Sequence, residues 1–389
     1  VLRSRNAVML AFFFNGFTFA SWVSRIPEVR SSLHLENGQL GLLLLAGAVG
    51  SLATLPTTGA LLHRWGAATM VRAGVATAML GIVIAAFGTD TFGLAPVVAV
   101  GLVLYGVGSG IWDVAMNVEG AVVEQGLGRT IMPRFHAGFS LGTVSGAGLG
   151  AAATAAGVPL EWHLTAACAV TLVALLSTVG GFLPRAAEAA AEHAPAAGAL
   201  AAWREPRTLL IGLMVFALAV TEGSANDWLA IALIDGYDVP HWVGVSGFGL
   251  FVTAMTTGRV VGPVLLDRHG RVPVLWSTMA AAGVGLLLIV FGGHAALVVV
   301  GIVLWGLGAS LGFPVGMSAA ADDPVRAATR VSVVSTIAYG AFLAGPPLLG
   351  FVADHVGTLD SLLVVAALLV PSALLVPAAR KPSDSPAHA

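Results

Sequence analysis

Val100-Gly101-Leu102-Val103-Leu104-Tyr105-Gly106-Val107-Gly108 returns two hundred positions later as Val300-Gly301-Ile302-Val303-Leu304-Trp305-Gly306-Leu307-Gly308, so the chain consists of two related halves. In so apolar a chain, a doubled helical half points to a secondary transporter.

Composition identifies the surrounding medium. Of the residues, 57% are hydrophobic and only 10% charged, and the mean hydropathy of +0.91 belongs to a chain immersed in lipid. Apolar runs of roughly 20 residues recur throughout, each able to cross about 30 Å of hydrocarbon as a helix, and none has the two-residue period of a barrel strand. The expected fold is an all-α membrane protein of twelve transmembrane helices in two pseudo-symmetric six-helix bundles. The spans fall at 6–27, 38–62, 69–88, 94–122, 133–157, 162–183, 207–233, 242–266, 273–292, 295–320, 331–353 and 360–379.

Basic residues orient these spans, because Lys and Arg are retained on the cytoplasmic side during insertion. With both termini cytoplasmic, the inner segments hold Arg3, Arg5, Arg64, Arg72, Arg129, Arg134, Arg185, Arg204, Arg207, Arg268, Arg271, Arg326, Arg330, Arg380 and Lys381. Only Arg25 and Arg30 lie outside, and Arg259 is embedded in span eight. The expected location is the cytoplasmic (inner) membrane, crossed many times.

The first span carries Asn15 and Trp22 and lacks a small-residue exit, so it reads as a retained helix and not as a cleaved signal. The lone Cys168 has no thiol to pair with and reads as packing. A net charge of -2 and the lack of a basic tail give no sign of a nucleic-acid partner. The organisation is then an N-terminal bundle (1–183), a low-complexity cytoplasmic linker (184–206), a C-terminal bundle (207–379) and a disordered tail (380–389), with a monomer expected.

Gly59-Ala60-Leu61-Leu62-His63-Arg64-Trp65-Gly66 after span two, and Asp267-Arg268-His269-Gly270-Arg271 after span eight, resemble the G-x-x-x-D-R-x-G-R signature of the major facilitator superfamily. The first copy has His63 in place of the acid and Ala67 and Ala68 in place of basic residues; the second has Pro263 at the glycine position. The resemblance implies a cytoplasmic gate latched mainly by Asp267, with Arg259, Arg64, Arg268 and Arg271 around it. A turn whose charges anchor at the headgroups is the alternative for each residue.

Three further stretches look like the matching helices of fucose-permease-like transporters. They are Phe12-Phe13-Phe14-Asn15-Gly16-Phe17, Trp112-Asp113-Val114-Ala115-Met116-Asn117, and Arg134-Phe135-His136-Ala137-Gly138-Phe139-Ser140-Leu141-Gly142. In that group a carboxylate four residues before an Asn binds the coupling proton and the sugar, a spacing that Asp113 and Asn117 match. Val23 stands where the group has an Asp, which separates sugar recognition from proton coupling.

The residues support Asp113 independently. Gly106, Gly110, Asp113 and Asn117 follow steps of 4, 3 and 4, placing two close-approach positions and two polar groups on one helix stripe. An Asp at mid-span costs about 2.5–3.5 kcal/mol on insertion scales, so it must face a cavity, find a partner or hold a proton. A packing hydrogen bond to a neighbouring helix is the alternative. Span seven supplies a second set in Glu222-Gly223-Ser224-Ala225-Asn226-Asp227-Trp228. Glu222 lies at mid-helix with Asn226 on its face at i+4, and Gly223 is placed for local unwinding at a solute site. Glu222 is assigned to proton coupling with Asp113, and Asp227 to solute binding or a solvated rim.

Asn15, Phe19 and Trp22 share a face of span one; His136, Ser140 and Thr143 share one in span five. With Trp112, Asn117, Asn226, Asp227, Trp305 and Tyr339, the residues Asn15, Trp22 and His136 complete the expected substrate-binding set.

Gly308-Ala309-Ser310-Leu311-Gly312 matches a nucleophile-elbow string but has no preceding strand and no activating His, so it reads as helix packing. Gly146-Ala147-Gly148-Leu149-Gly150 lies in mid-membrane, and no G-K-[ST] occurs to hold ATP. No catalytic, metal or cofactor site is expected, and a proton gradient is the expected energy source. The reading is therefore a proton-coupled carrier of a small polar solute, sugar-like or otherwise hydroxylated or cationic. Two alternatives stand: a proton-coupled drug or metabolite exporter, suggested by Gly142, Gly146 and Gly150, and a membrane sensor of the same fold that transports nothing.

Overall fold

The computed structural model describes residues 2–127, 131–182, 202–323 and 326–381. Arg129, Arg185, most of the linker, residues 382–389 of the tail, and the side chain of His63 lie outside the described residues.

All described spans are helical. Span one is α1 (Leu2–Val23) followed by α2 (Ile26–Ser32), which Pro27 begins in its first turn. Spans two to five are α3 (Asn37–Trp65), α4 (Ala67–Asp90), α5 (Ala95–Leu127) and α6 (Met132–Ala155). Span six is α7 (Leu160–Thr178) with a 3₁₀ turn, and span seven is α8 (Pro206–Ser224), a π turn (Ala225–Leu229) and α9 (Ala230–Tyr237). Next come α10 (His241–His269) and α11 (Arg271–Phe291). Span ten is broken into α12 (Ala295–Ala309) and α13 (Gly312–Ala320), and α14 (Ala327–Val356) and α15 (Thr358–Leu375) complete the twelve. Eleven of them are long and apolar enough among the described residues to cross a membrane. The twelfth, α6, is diluted by the small residues with which it packs.

The chain divides into two compact units that cut across the sequence halves: Val1–His193 with Ala225–Val252 and Pro346–Leu359, and Ala194–Ser224 with Thr253–Gly345 and Asp360–Ala389. The passage at Ser224–Ala225 falls where the π turn begins, and the passage at Gly345–Pro346 falls at the tandem prolines inside α14.

Within the first unit α4 packs on α5, α5 on α3, and α1 on α6. The α1–α6 contact requires missing side chains: a Cβ on Gly142 or Gly146 would strike the carbonyl oxygens of Phe13 and Phe17, and one on Gly16 that of Phe139. Small residues let backbones approach where lipid offers no hydrophobic gain from association. The glycine string that suggested an exporter is therefore occupied in helix packing.

The opening repeat is explained by the same physics. Gly101 and Gly108 of α5 abut the backbone of α4 at Gly81–Ala85 and Gly74–Ala78, while Gly301 and Gly308 of α12 abut that of α11 at Gly285 and Thr278–Ala282. Each unit thus contains one copy of a single helix crossing. What doubled in the sequence is a packing surface.

Candidate functional site

In the second unit, α8 carries Glu222 in its last turn, near the middle of span seven, and α10 carries Arg259. One guanidinium nitrogen, Nη2, donates to both carboxylate oxygens of Glu222, at 3.0 and 2.9 Å, and the two side chains keep 26% and 21% of their exposure. Nε of Arg259 points at the carbonyl of Ser310 at 3.4 Å. That carbonyl is available because span ten breaks there, at Ser310–Leu311 between α12 and α13. Close approach brings the break to α10: a Cβ on Gly258 would strike Ser310, and one on Gly262 would strike Leu311. Glycines at positions 308 and 312 abut α11 and Leu218, so part of the elbow-like string is helix packing, as expected, and part is a helix break that faces an arginine.

In the first unit, Asp113 and Asn117 are both half-buried on α5. Asn117 Nδ2 donates to the Asp113 backbone carbonyl at 2.9 Å and to its carboxylate at 3.3 Å. No cation is bonded to Asp113 among the described residues. The glycines of the predicted stripe, Gly106 and Gly110, are set against Gly47, Ser51 and Thr54 of α3.

Span seven does not unwind at Gly223, which remains helical beside Phe342; the irregularity is the π turn that starts two residues later. Such turns are rare and concentrate at functional sites. Asn226 lies inside this π turn, and Glu222 lies in the α-helix before it. Asn226 and Asp227 are half-buried and lie in the first unit, and Asp227 makes no hydrogen bond or ion pair among the described residues.

Other expected site residues are placed differently. Trp22, Trp112 and Trp305, at 4%, 1% and 0% exposure, fill the packed interior and do not line an accessible wall. The crossings of α4 with α5 and of α11 with α12 account for the last two, since Gly74 and Gly285 abut the backbone at Trp112 and Trp305. Asn15 is buried, and its Nδ2 has no partner among the described residues. His136 is exposed near the start of α6, edge-on to Phe12 at 5.1 Å, and Tyr339 is half-buried beside Phe342 at 6.3 Å.

The gate assignment changes most. Arg259 serves Glu222 and not Asp267. Arg271 donates to Asp322 at 2.8 Å, and Arg207 donates to the same carboxylate at 2.7 Å. Asp267 and Arg268 are exposed and unbonded among the described residues, and Arg64 is exposed over the Trp65 ring. A second cluster joins Glu205 to Arg330 at 2.6 Å and to Arg326 at 3.0 Å. The Arg330 hydrogen bond, aided by Thr208 and Arg326, holds the Glu205 carboxyl down at about 2. A cavity of about 870 Å³ opens beside Asp267, Arg271 and Trp276, away from Glu222.

At the other end of the helices, which the basic-residue pattern puts outside, two carboxylates that the sequence did not single out make bonds within the first unit. Asp354 of α14 accepts from the backbone N–H groups of Asn37 and Gly38 at 2.9 and 2.8 Å, capping α3 from another helix. Asp235 of α9 accepts from Arg30 at 2.6 Å and from Thr358 at 3.1 Å. The available signal was an acid beside a span end, which any solvated loop also supplies.

A family model described as the Major Facilitator Superfamily matches residues 8–324 and 242–389. An MFS-type transporter of Yersinia pestis is 30% identical over 354 residues, 91% of this chain and 90% of its own. A transporter of Sinorhizobium fredii, y4wD, is 33% identical over 355 residues, covering 91% and 92%. Among solved structures, a D323A mutant of the nucleoside transporter NupG superposes with a TM-score of 0.81 at 14% identity, covering 97% of this chain and 99% of that one.

Proposed function

We propose that this chain, which belongs to the Major Facilitator Superfamily, is a secondary active transporter that carries a small polar solute across the cytoplasmic membrane by alternating access, driven by protons. The observation that carries the reading is the pair of acids placed at mid-span in two different states. Asp113 is half-buried and has no bonded cation among the described residues to hold it as an anion, which suits a group that takes up and releases a proton. Glu222 is held by a guanidinium that must find another partner whenever the carboxylate is neutralised.

The Asp354 and Asp235 contacts supply the gate at the outer end, which has to open and close in each cycle. The polar character of the site favours a hydroxylated or charged solute over an apolar drug. Glu222 no longer counts as a free anion awaiting a cationic solute, because Arg259 neutralises it. The glycine string that suggested an exporter lies in the α1–α6 contact, a packing role that does not depend on the direction of transport. The retained mid-span acids argue against a sensor that moves nothing.

The test is proton flux in proteoliposomes on addition of candidate solutes. Solute-dependent alkalinisation outside the vesicles, lost in Asp113→Asn, is the expected result. Uphill accumulation unchanged in that variant removes the proton role, and no flux with any of a broad panel favours the sensor.

A further inference from the structure

An arginine at bilayer depth is tolerated only while something neutralises it. Glu222 does so here, through Nη2 alone. The Nε contact to Ser310 is long, and Nη1 has no partner among the described residues, although the side chain keeps 26% of its exposure. One edge of the guanidinium fork is thus unoccupied and reachable by solvent. The glycines nearest this pair, Gly223, Gly258, Gly262 and Gly312, lie against Phe342, Ser310, Leu311 and Leu218, all uncharged. Among the described residues, Glu222 is the one carboxylate bonded to Arg259.

This arrangement constrains what a proton can do. If Glu222 takes up the coupling proton, its attraction for Arg259 falls away and a full positive charge remains in a half-buried site. A neutral hydroxyl can accept a hydrogen bond from that cation but cannot neutralise it. A carboxylate or phosphate can, because its oxygens match the guanidinium fork.

We infer that the solute carries an anionic group, a carboxylate or a phosphate, which binds Arg259 as Glu222 becomes protonated, so that proton and solute enter the site together. The inference rests on the proton-coupled transport proposed above. The exchange is balanced: one proton from water goes to a Glu222 oxygen, the Glu222–Arg259 ion pair is broken, and an Arg259–anion pair replaces it. For a singly charged anion, the net charge of the loaded site equals that of the empty one. The break at Ser310 leaves a carbonyl 3.4 Å from Nε, a weak contact that the guanidinium can keep while its Nη groups change partners.

The experiment compares gluconate, inorganic phosphate, glucose and glucosamine as probes, three of them on a similar carbon skeleton but differing in charge. Thermal unfolding of the purified full chain is followed near neutral and at mildly acid pH. The expected result is stabilisation by gluconate or phosphate that strengthens on acidification and is absent with glucose and glucosamine. In Glu222→Gln, which mimics the protonated acid, anion binding near neutral pH is expected to tighten by about tenfold and to lose its pH dependence. In Glu222→Gln combined with Arg259→Gln, the site is neutral and anion binding is expected to vanish while the fold persists. Stabilisation by glucose or glucosamine alone, or by none of the four, overturns the inference. Proton uptake driven by glucose or glucosamine in proteoliposomes overturns it while leaving proton-coupled transport intact. Absence of proton uptake with every solute removes both.

Discussion

Asp113 and Glu222 look alike in the sequence: each is an acid at the middle of an apolar span, each stands four residues before an Asn, and each has glycine close by. In the folded chain they part. Asp113 keeps its Asn, bonded to its own carbonyl and carboxylate, and has no bonded cation among the described residues. Glu222 has its Asn inside a π turn and is paired with Arg259, 37 positions away. The difference teaches that an amide one turn away does not settle the state of an intramembrane acid. A guanidinium from another helix does, because its charge offsets a desolvation cost that a neutral group leaves standing.

The comparison is broken most severely at Asp113. Asp113→Asn is expected to abolish proton-driven accumulation while sparing solute exchange, measured as uphill uptake against counterflow in proteoliposomes. If uphill transport survives in this variant, Asp113 is not required for coupling, and the contrast drawn here is wrong.

Arg259→Gln comes next, since it makes Glu222 resemble Asp113. Losing a charge-assisted hydrogen-bonded pair costs about 1.5–3 kcal/mol, or roughly ten- to a hundredfold in transport rate at fixed solute. Because both side chains are partly exposed, the lower end is expected. No recovery is expected in the Glu222→Gln, Arg259→Gln double variant, which still lacks the cation that holds the solute; recovery above the single variant would show that the unpaired acid caused the loss and would count against an anionic solute.

A smaller effect sharpens the contrast between mid-span and span-end acids. Asp354→Ala removes both acceptors for the α3 N-terminus and is expected to shift the outer gate toward open by about tenfold or less, the site being exposed. Labelling of a cysteine placed beside Asn37 measures this. Unchanged labelling would reduce Asp354 to a local cap.

The smallest effect is at Glu205. Its carboxyl is held down at about 2 by Arg330, so the cluster contributes fully above the ordinary carboxylate value of 4.5 and fades as pH falls toward about 2. Glu205→Gln is expected to lower stability near neutral pH by about 1 kcal/mol or less, as partly exposed ion pairs do, and the gap to the unmodified chain is expected to close on acidification. A gap that persists at low pH would point to packing instead.

Much of the fold was legible because its cause is local. A run of apolar residues long enough to cross lipid must satisfy its own backbone hydrogen bonds, so hydropathy alone marks the helices. Only α6 is faint, and for a physical reason: the small residues that let it press against α1 also dilute its hydropathy. The candidate site was half legible. The cost of a mid-span charge singled out Asp113, Glu222 and Arg259 one at a time, but no rule of spacing joins Glu222 to Arg259, sends Arg271 to Asp322, or seats Trp112 and Trp305 in packed interiors. Asp235 and Asp354 carry no mark at all until the ends of other helices are seen against them.

By itself the sequence determined that this chain is a doubled set of membrane helices with a few acids it can ill tolerate there, because span length and the cost of burying charge are properties of each segment alone. Only the tertiary structure decided which acid is neutralised, where span ten breaks to face an arginine, and which glycines are contacts. Those outcomes depend on helices brought together from distant parts of the chain, where a shift of one residue in a π turn or a single missing Cβ changes which side chains can meet.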